Sequence, residues 1–342
     1  NLPGVAAYLG LGADHNAISQ STMTSLAAGY QALRISGGSY NDVTRSLISS
    51  QDGYGLYIGL NAGSDHNTVS QSTMTSNSAD LSALYIYLAA SNTVTASVIS
   101  NPSGNAAYLW NGADGNTISL SSITSNAAGK YALLFSSASS NTVTQCYISN
   151  PPGYGLQLIA NSNRNLVSLS TITVNSPYAA FGADNSAANT LLESHVSNPS
   201  GYGGFIGFGA DGTYIGSTTF NSGAAAYFGL KIVSASSNTV SAGYISNPAG
   251  VAYTSVSGGQ NLVRQSTVTS GAAGYSAVFI DASAAAAVEA SYRRGADAVF
   301  VRDSTGTRIS DSALAATNPA GVGLRADSNN GVAATGNTIS AG

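Results

Sequence analysis

The sequence predicts an all-β, single-domain parallel β-solenoid, and three observations carry that expectation. The tripeptide Asn-Thr-Val/Ile, or a close variant, recurs along all 342 residues at steps of 21 to 30, most of them 23 to 26. Around each recurrence, apolar and small polar residues alternate with the period of two that marks a half-buried strand. Gly, Ser, Thr and Asn are too dense for helix, and no i, i+3, i+4 apolar stripe is sustained.

The recurrences set a register anchored on Asn16, Asn41, Asn67, Asn92, Asn116, Asn141, Asn165, Asn189, Thr213, Asn238, Asn261, Ala286, Thr307 and Asn337. Two residues after each anchor stands a branched aliphatic, from Ile18 and Val43 to Ile309 and Ile339. Five after, the slot is small, from Ser21 and Ser46 through Cys146 to Gly342. Seven after, it is apolar again, as in Met23, Ile48, Ile148 and Val268. A further apolar run precedes each anchor, as in "YALLFS" and "GYGLQLI". Each repeat is therefore three short strands joined by turns, and the chain holds about 14 coils of 24–25 residues in one domain, 1–342.

A single coil cannot bury its apolar row, so coils must stack, each strand pairing with its equivalent one repeat away. The small slot then marks an inward corner, where Cys146 is expected to be buried and inert. Alternate coils carry "SNPSGNA", "SNPPGYG" and "SNPAGVA", and those between carry "STMTSLAAGY" or "SSITSNAAGKY", so the unit of growth is a two-coil module of about 49 residues. Pro102, Pro151, Pro199, Pro248 and Pro319 sit between Asn and x-Gly, which is turn chemistry at a strand end where no ladder needs their missing N–H.

The run "NTVTQCYISN", preceded by "YALLFSSASS", resembles the right-handed parallel β-helix repeat of pectate-lyase-like and related secreted proteins. The resemblance implies a right-handed coil and, here, a non-catalytic surface or structural type. It does not imply an activity, because such solenoids include polysaccharide lyases, hydrolases, epimerases, tailspikes and adhesins.

Composition narrows the partners. Only 8% of residues are charged and the net charge is −4, which excludes the clustered Lys/Arg footprint of a nucleic-acid binder. No apolar run is long enough to span a bilayer, and one cysteine permits no internal disulfide. The chain opens at "NLPGVAAYLG" without an initiator Met, the expectation being either a piece of a longer protein or a mature chain after removal of a leader.

Candidate chemistry is sparse. Asp14, Asp65, Asp114 and Asp211 stand in turns just before anchors, but equivalents two coils apart lie roughly 9.6 Å from one another, too far to share an ion. They read as turn residues, and His15, His66 and His195 likewise have no partner spacing for a metal or a triad. No catalytic residue, metal or cofactor is assigned. Outward Thr pairs, Thr22/Thr24, Thr73/Thr75 and Thr267/Thr269, would suit ice binding but recur only on alternate coils. Tyr30, Tyr131, Tyr178, Tyr227 and Tyr275 follow the "AAG" turns or their equivalents and are expected to form a surface aromatic row that stacks on sugars or on a neighbouring protein.

The charged window "YRRGADAVFVRD" is the candidate binding or interface site, through Arg293, Arg294, Asp297, Arg302 and Asp303. It lies in coils 281–317, expected to be irregular. Arg293 falls seven after its anchor, in the apolar slot, so the expectation is a bulge that exposes it, or pairing with Asp297 or Glu289. The function expected first is an extracellular or cell-surface structural solenoid, such as a filament, surface-layer or adhesin-type subunit, self-associating head-to-tail through coil ends or laterally. The alternatives are a polysaccharide-active lyase or hydrolase and a glycan- or ice-binding module, with polysaccharide as a further candidate partner.

Overall fold

The structure is a computed structural model that describes residues 4–60, 63–317, 321–328 and 335–340. Pro319 and Gly342 lie outside the described residues, as does the side chain of Ile339. The described residues form an all-β parallel β-solenoid with three strands per coil and no helix. The chain divides into two compact units, Asn1–Val174 and Asn175–Gly342.

In each unit every strand pairs in parallel with its equivalent one coil away, giving three sheets. In the first unit, Leu84–Tyr87 of the first sheet lies between Leu56–Gly59 and Ala107–Trp110. Thr93–Thr95 of the second sheet lies between Thr68–Ser70 and Thr117–Ser119, and Val98–Asn101 of the third between Thr73–Ser76 and Ser122–Ser125. The second unit repeats this: Tyr244–Asn247, for example, lies in the third sheet between Thr219–Ser222 and Thr267–Ser270. The apolar slots two and seven after the anchors stack in register among the described residues, as Val69, Val94 and Ile118 do, and fill the interior, with Arg293 the exception.

The anchors form a ladder of their own. Asn116 Oδ1 accepts the backbone N–H of Asn92 (2.8 Å) and its Nδ2 (3.1 Å), while Asn116 Nδ2 donates to Ala89 O and to Asn141 Oδ1. Asn41, Asn67 and Asn141 repeat these bonds in the first unit. In the second unit Asn261 Oδ1 accepts from Asn238 N and Nδ2. Where asparagine stands, its amide satisfies an N–H that points along the coil stack, and a buried donor left unpaired is costly; Thr213, Ala286 and Thr307 take the place in three coils.

The small slot has the same logic. Second and third strands meet at a tight corner whose first residue has positive φ without being glycine, as at Ala96 (48°) and Leu120 (50°). The following Ser97 Oγ donates to Thr95 O (2.8 Å) and accepts Ser72 N (3.1 Å) from the preceding coil. Size alone does not set this slot; a hydroxyl bridges two coils there. Cys146 is buried in it as expected, and burial pushes its thiol pKa up.

The two-coil module also has a physical basis. Asn101, before Pro102, accepts the N–H groups of Ser103 and Gly104 and donates back to Leu81 O (2.7 Å) and Ser78 O (3.0 Å) of the preceding coil. In the next coil Ser125 takes the equivalent position, its Oγ donating to Gly104 O (2.8 Å). Gly104 is needed because a Cβ there would lie 2.4 Å from Ser78 O. Asn and Ser therefore alternate as clamps between successive turns.

Asn116→Ala removes the acceptor for Asn92 N–H and is expected to lower stability by about 2–4 kcal/mol, read from urea denaturation. A cost no greater than that of an exposed Asn→Ala would show that the ladder is not a principal support.

Candidate functional site

The charged window does not converge on one site. Tyr292–Gly295 runs in the third sheet with Val268 opposite Arg293 on one side and Leu314 on the other, so the ladder passes through without a bulge. Arg293 points inward and is 0% exposed. Its Nη1 donates to Ser266 O (2.7 Å) and Tyr292 O (2.9 Å), whereas Nε and Nη2 have no hydrogen-bond partner among the described residues. Both expected remedies are absent: Asp297 Oδ1 instead accepts Val322 N–H (3.0 Å), and Glu289 lies 4.0 Å from Arg308. Burial pulls the Arg293 guanidinium down to about 9, opposed by the neighbouring Tyr253 hydroxyl, so it stays cationic at neutral pH. Tyr253, itself buried, is pushed up by the same desolvation.

Arg302 lies at the end of Val299–Arg302 in the first sheet. It forms a two-pronged pair with Asp281 one coil earlier (Nε 2.9 Å, Nη2 2.5 Å) and lies 5.0 Å from the centre of the Phe279 ring. That hydrogen bond raises its pKa. Asp303 follows at a corner with φ 47°. Of the five residues, Arg294 is the one that points outward from the third sheet into open surface, and among the described residues it forms no ion pair within 4.0 Å.

The turn acids bond between coils. Asp14, Asp65, Asp114 and Asp211 each accept through Oδ1 the N–H of a residue one coil on, at Ser39, Ala90, Ser139 and Ser236, over 2.6–2.7 Å. His15 and His66 sandwich Tyr40, with ring centres 5.1 and 4.9 Å apart, which fills the space between histidines two coils apart. Among the described residues no three His, Cys, Asp or Glu side chains converge to hold a metal ion.

Two aromatic arrays occupy different sheets. On the outer side of the first sheet, Arg34, Tyr57, Tyr85 and Tyr108 stand on one ladder, flanked by Tyr54, Tyr87 and Trp110. Their rings pack against each other, with Tyr57 to Tyr85 at 5.0 Å, so Tyr57 and Tyr85 are each only 6% exposed. Burial, followed by the neighbouring Tyr54, pushes Tyr57 up to about 12. Of the five tyrosines read from the sequence, Tyr131 opens the first-sheet strand Tyr131–Ser136, and the other four lie just before strands of that sheet. Tyr131 stacks on Tyr154 at 4.7 Å and Tyr227 meets Tyr202 edge-on at 4.8 Å; Tyr178 is half-buried, while Tyr30 and Tyr275 are exposed.

The second array was not anticipated. In the outward row of the third sheet, six after each anchor, one ladder of the first unit reads Leu47, Thr73, Val98, Ser122, Tyr147 and Thr171. In the second unit it reads His195, Thr219, Tyr244, Thr267 and Tyr292. Large and hydroxyl residues alternate, so the rings are separated and open: Tyr147 is 47% exposed, Tyr244 42% and Tyr292 42%. Beside it runs a hydroxyl row in which Thr75 Oγ1 donates to Ser49 Oγ (2.9 Å) and Thr124 Oγ1 to Ser100 Oγ (3.1 Å). The Tyr147 and Tyr244 hydroxyls lie 3.5 Å from Thr173 and Thr269 Oγ1, which ties each ring to the sheet. A groove of about 370 Å³ in the second unit is lined by Tyr244, Thr269, Pro248 and Arg294, and one of about 410 Å³ in the first by Thr24, Thr75 and Pro102. The interleaved Leu, Val and Tyr interrupt the Thr array, which the sequence showed on alternate coils only.

Residues 59–220, a little under half of the chain, match the family model described as the right handed beta helix region. The resemblance read from the repeat is thus met, and with it the right-handed coil. Among solved structures the chain is similar to the Dettilon tailspike protein, at 14% identity and TM-score 0.59, covering 86% of this chain and 62% of that one. It is similar to tailspike protein 3 of bacteriophage CBA120, at 11% identity and TM-score 0.53, covering 97% and 54%. A mutant of a periplasmic alginate epimerase matches at 11% and 0.53, covering 90% and 78%. The chain spans less than two thirds of either tailspike, and at these identities the likeness establishes the fold alone. No curated protein sequence matches it.

Arg293→Met replaces a poorly paired buried cation by an apolar chain of similar length and is expected to stabilise by about 1–4 kcal/mol in chemical denaturation; destabilisation would mean that the guanidinium bonds outweigh desolvation. Asp114→Ala is expected to cost about 0.5–1.5 kcal/mol, with Asp114→Asn retaining most of it and added calcium changing neither.

Proposed function

We propose that this chain is an extracellular or cell-surface β-solenoid that binds polysaccharide on the outer face of its third sheet. The observation that carries the reading is the groove where exposed Tyr244, the Thr269 hydroxyl and Arg294 meet. A ring offers an apolar face to a sugar, and hydroxyl and guanidinium groups bond its hydroxyls, an arrangement typical of ligand sites with few, well-placed polar groups. The fold likeness to an alginate epimerase, named for a polysaccharide, and to phage tailspikes supports the class of ligand and a location outside the cytoplasm.

A structural role is the second reading, favoured by the uncharged inter-coil ladders, which suit a stiff scaffold. It predicts assemblies that sediment faster as concentration rises; a monodisperse monomer at high concentration would count against it. A catalytic reading through Arg302 is less well supported, because its guanidinium is already engaged by Asp281.

The binding reading is tested by electrophoresis through gels containing soluble xylan, glucan or alginate. Retardation by at least one polysaccharide is expected, and the double variant Tyr244→Ala/Arg294→Ala should lose most of it. Equal mobility in every gel would sink the proposal.

A further inference from the structure

The alternation of the third-sheet row sets a length. In the second unit His195, Tyr244 and Tyr292 stand on every second coil, with Thr219 and Thr267 between them. Strands in a parallel sheet are about 4.8 Å apart, so successive rings are separated by roughly 9.6 Å. That is close to the length of two pyranose units in a fully extended chain. We infer that the row is built for a linear, uncharged, equatorially linked glycan of the β-1,4 type, lying along the coil stack with every second sugar over a ring.

The chemistry of each position agrees with that ligand. In an extended β-1,4 chain, neighbouring sugars are turned by about half a revolution, so alternate units present the same face. A sugar over a ring stacks one face on the aromatic plane; its neighbour, turned over, presents its opposite face with its hydroxyls redirected, and there a small polar residue leaves room and offers a hydrogen bond. The row supplies these in strict alternation, with half-buried Thr219 and Thr267 at the positions between rings. The parallel row, Ser197, Asn221, Ser246 and Thr269, adds hydrogen-bonding groups at each coil, and Arg294 ends it. The Tyr244 hydroxyl is held near Thr269 Oγ1, so little ring freedom remains to be lost on binding. A polyanionic chain would find one cation, Arg294, along these rows, which favours a neutral chain.

The first unit sharpens the argument. The same row there has Leu47 and Val98 before Tyr147, large but not aromatic, so its stacking positions are fewer. The first-sheet aromatic wall, by contrast, has rings on successive coils that cover one another, as the near-complete burial of Tyr57 and Tyr85 shows. Spacing by two coils leaves a ring face free, whereas spacing by one does not.

This inference rests on the polysaccharide-binding reading, and its test separates the two. Calorimetric titration of the full chain with cellohexaose, cellotriose and the curved β-1,3 isomer laminarihexaose is expected to give tightest binding for cellohexaose, by roughly tenfold over each of the others. Tyr244→Ala and Tyr292→Ala should each weaken cellohexaose by roughly 2- to 12-fold, on the scale of one lost aromatic stacking contact. Thr267→Tyr, which fills a slot between rings, should weaken it also, with unchanged circular dichroism in all three variants. Equal affinity for cellohexaose and laminarihexaose, or full cellohexaose affinity in folded Tyr244→Ala, overturns the inference. If laminarihexaose is preferred and Tyr244→Ala abolishes its binding, the polysaccharide reading stands and the spacing argument falls. Absence of binding to any glycan in solution or gel overturns both.

Discussion

Each coil presents backbone N–H groups at its corners along the direction of stacking, and they must be satisfied by the next coil. The asparagine anchor does this with one side chain: its Oδ1 accepts from the equivalent residue's backbone and side chain, while its Nδ2 donates onward. The serine corner and the Asn/Ser clamps at the third-sheet turns apply the same device elsewhere on the coil. Because the acceptors are neutral and short, the solenoid can be built with few charges. The same requirement explains the turn aspartates, whose carboxylates accept N–H groups across coils and are committed to the architecture.

Arg293 shows how strongly that architecture dominates. A cation in the apolar slot favours a bulge or a carboxylate partner, since burying an unpaired charge costs several kcal/mol. The ladder instead continues, and the guanidinium is retained with two carbonyl bonds and, among the described residues, two unpaired nitrogens. Flanking strand pairs on both sides hold the register, and distorting it would break many backbone bonds to relieve one side chain.

The aromatic residues divide by spacing. Rings on successive coils of the first sheet satisfy each other and are withdrawn from solvent, as their raised tyrosine pKa values also reflect. Rings on alternate coils of the third sheet remain available. The two-coil module therefore does more than alternate turn clamps: it separates the rings enough to leave their faces open.

The repeat period, the two apolar slots and the small corner were legible in the sequence because they recur in nearly every coil and obey the period of two. Parallel pairing followed from the need to bury a row that one coil cannot cover. The outward row at six after the anchor is equally present in the sequence, where Tyr147, Tyr244 and Tyr292 stand between hydroxyl residues, but it lacks the shared turn motif that marks the "AAG" tyrosines. What the tertiary structure alone decided was which exposed-looking groups are free. Whether Arg302 meets Asp281, whether Arg293 is enclosed, and whether a tyrosine lies against another ring depend on side chains about twenty or more residues apart in sequence. A repeat register assigns such residues to a face, but packing between coils decides which of them remain able to meet a ligand.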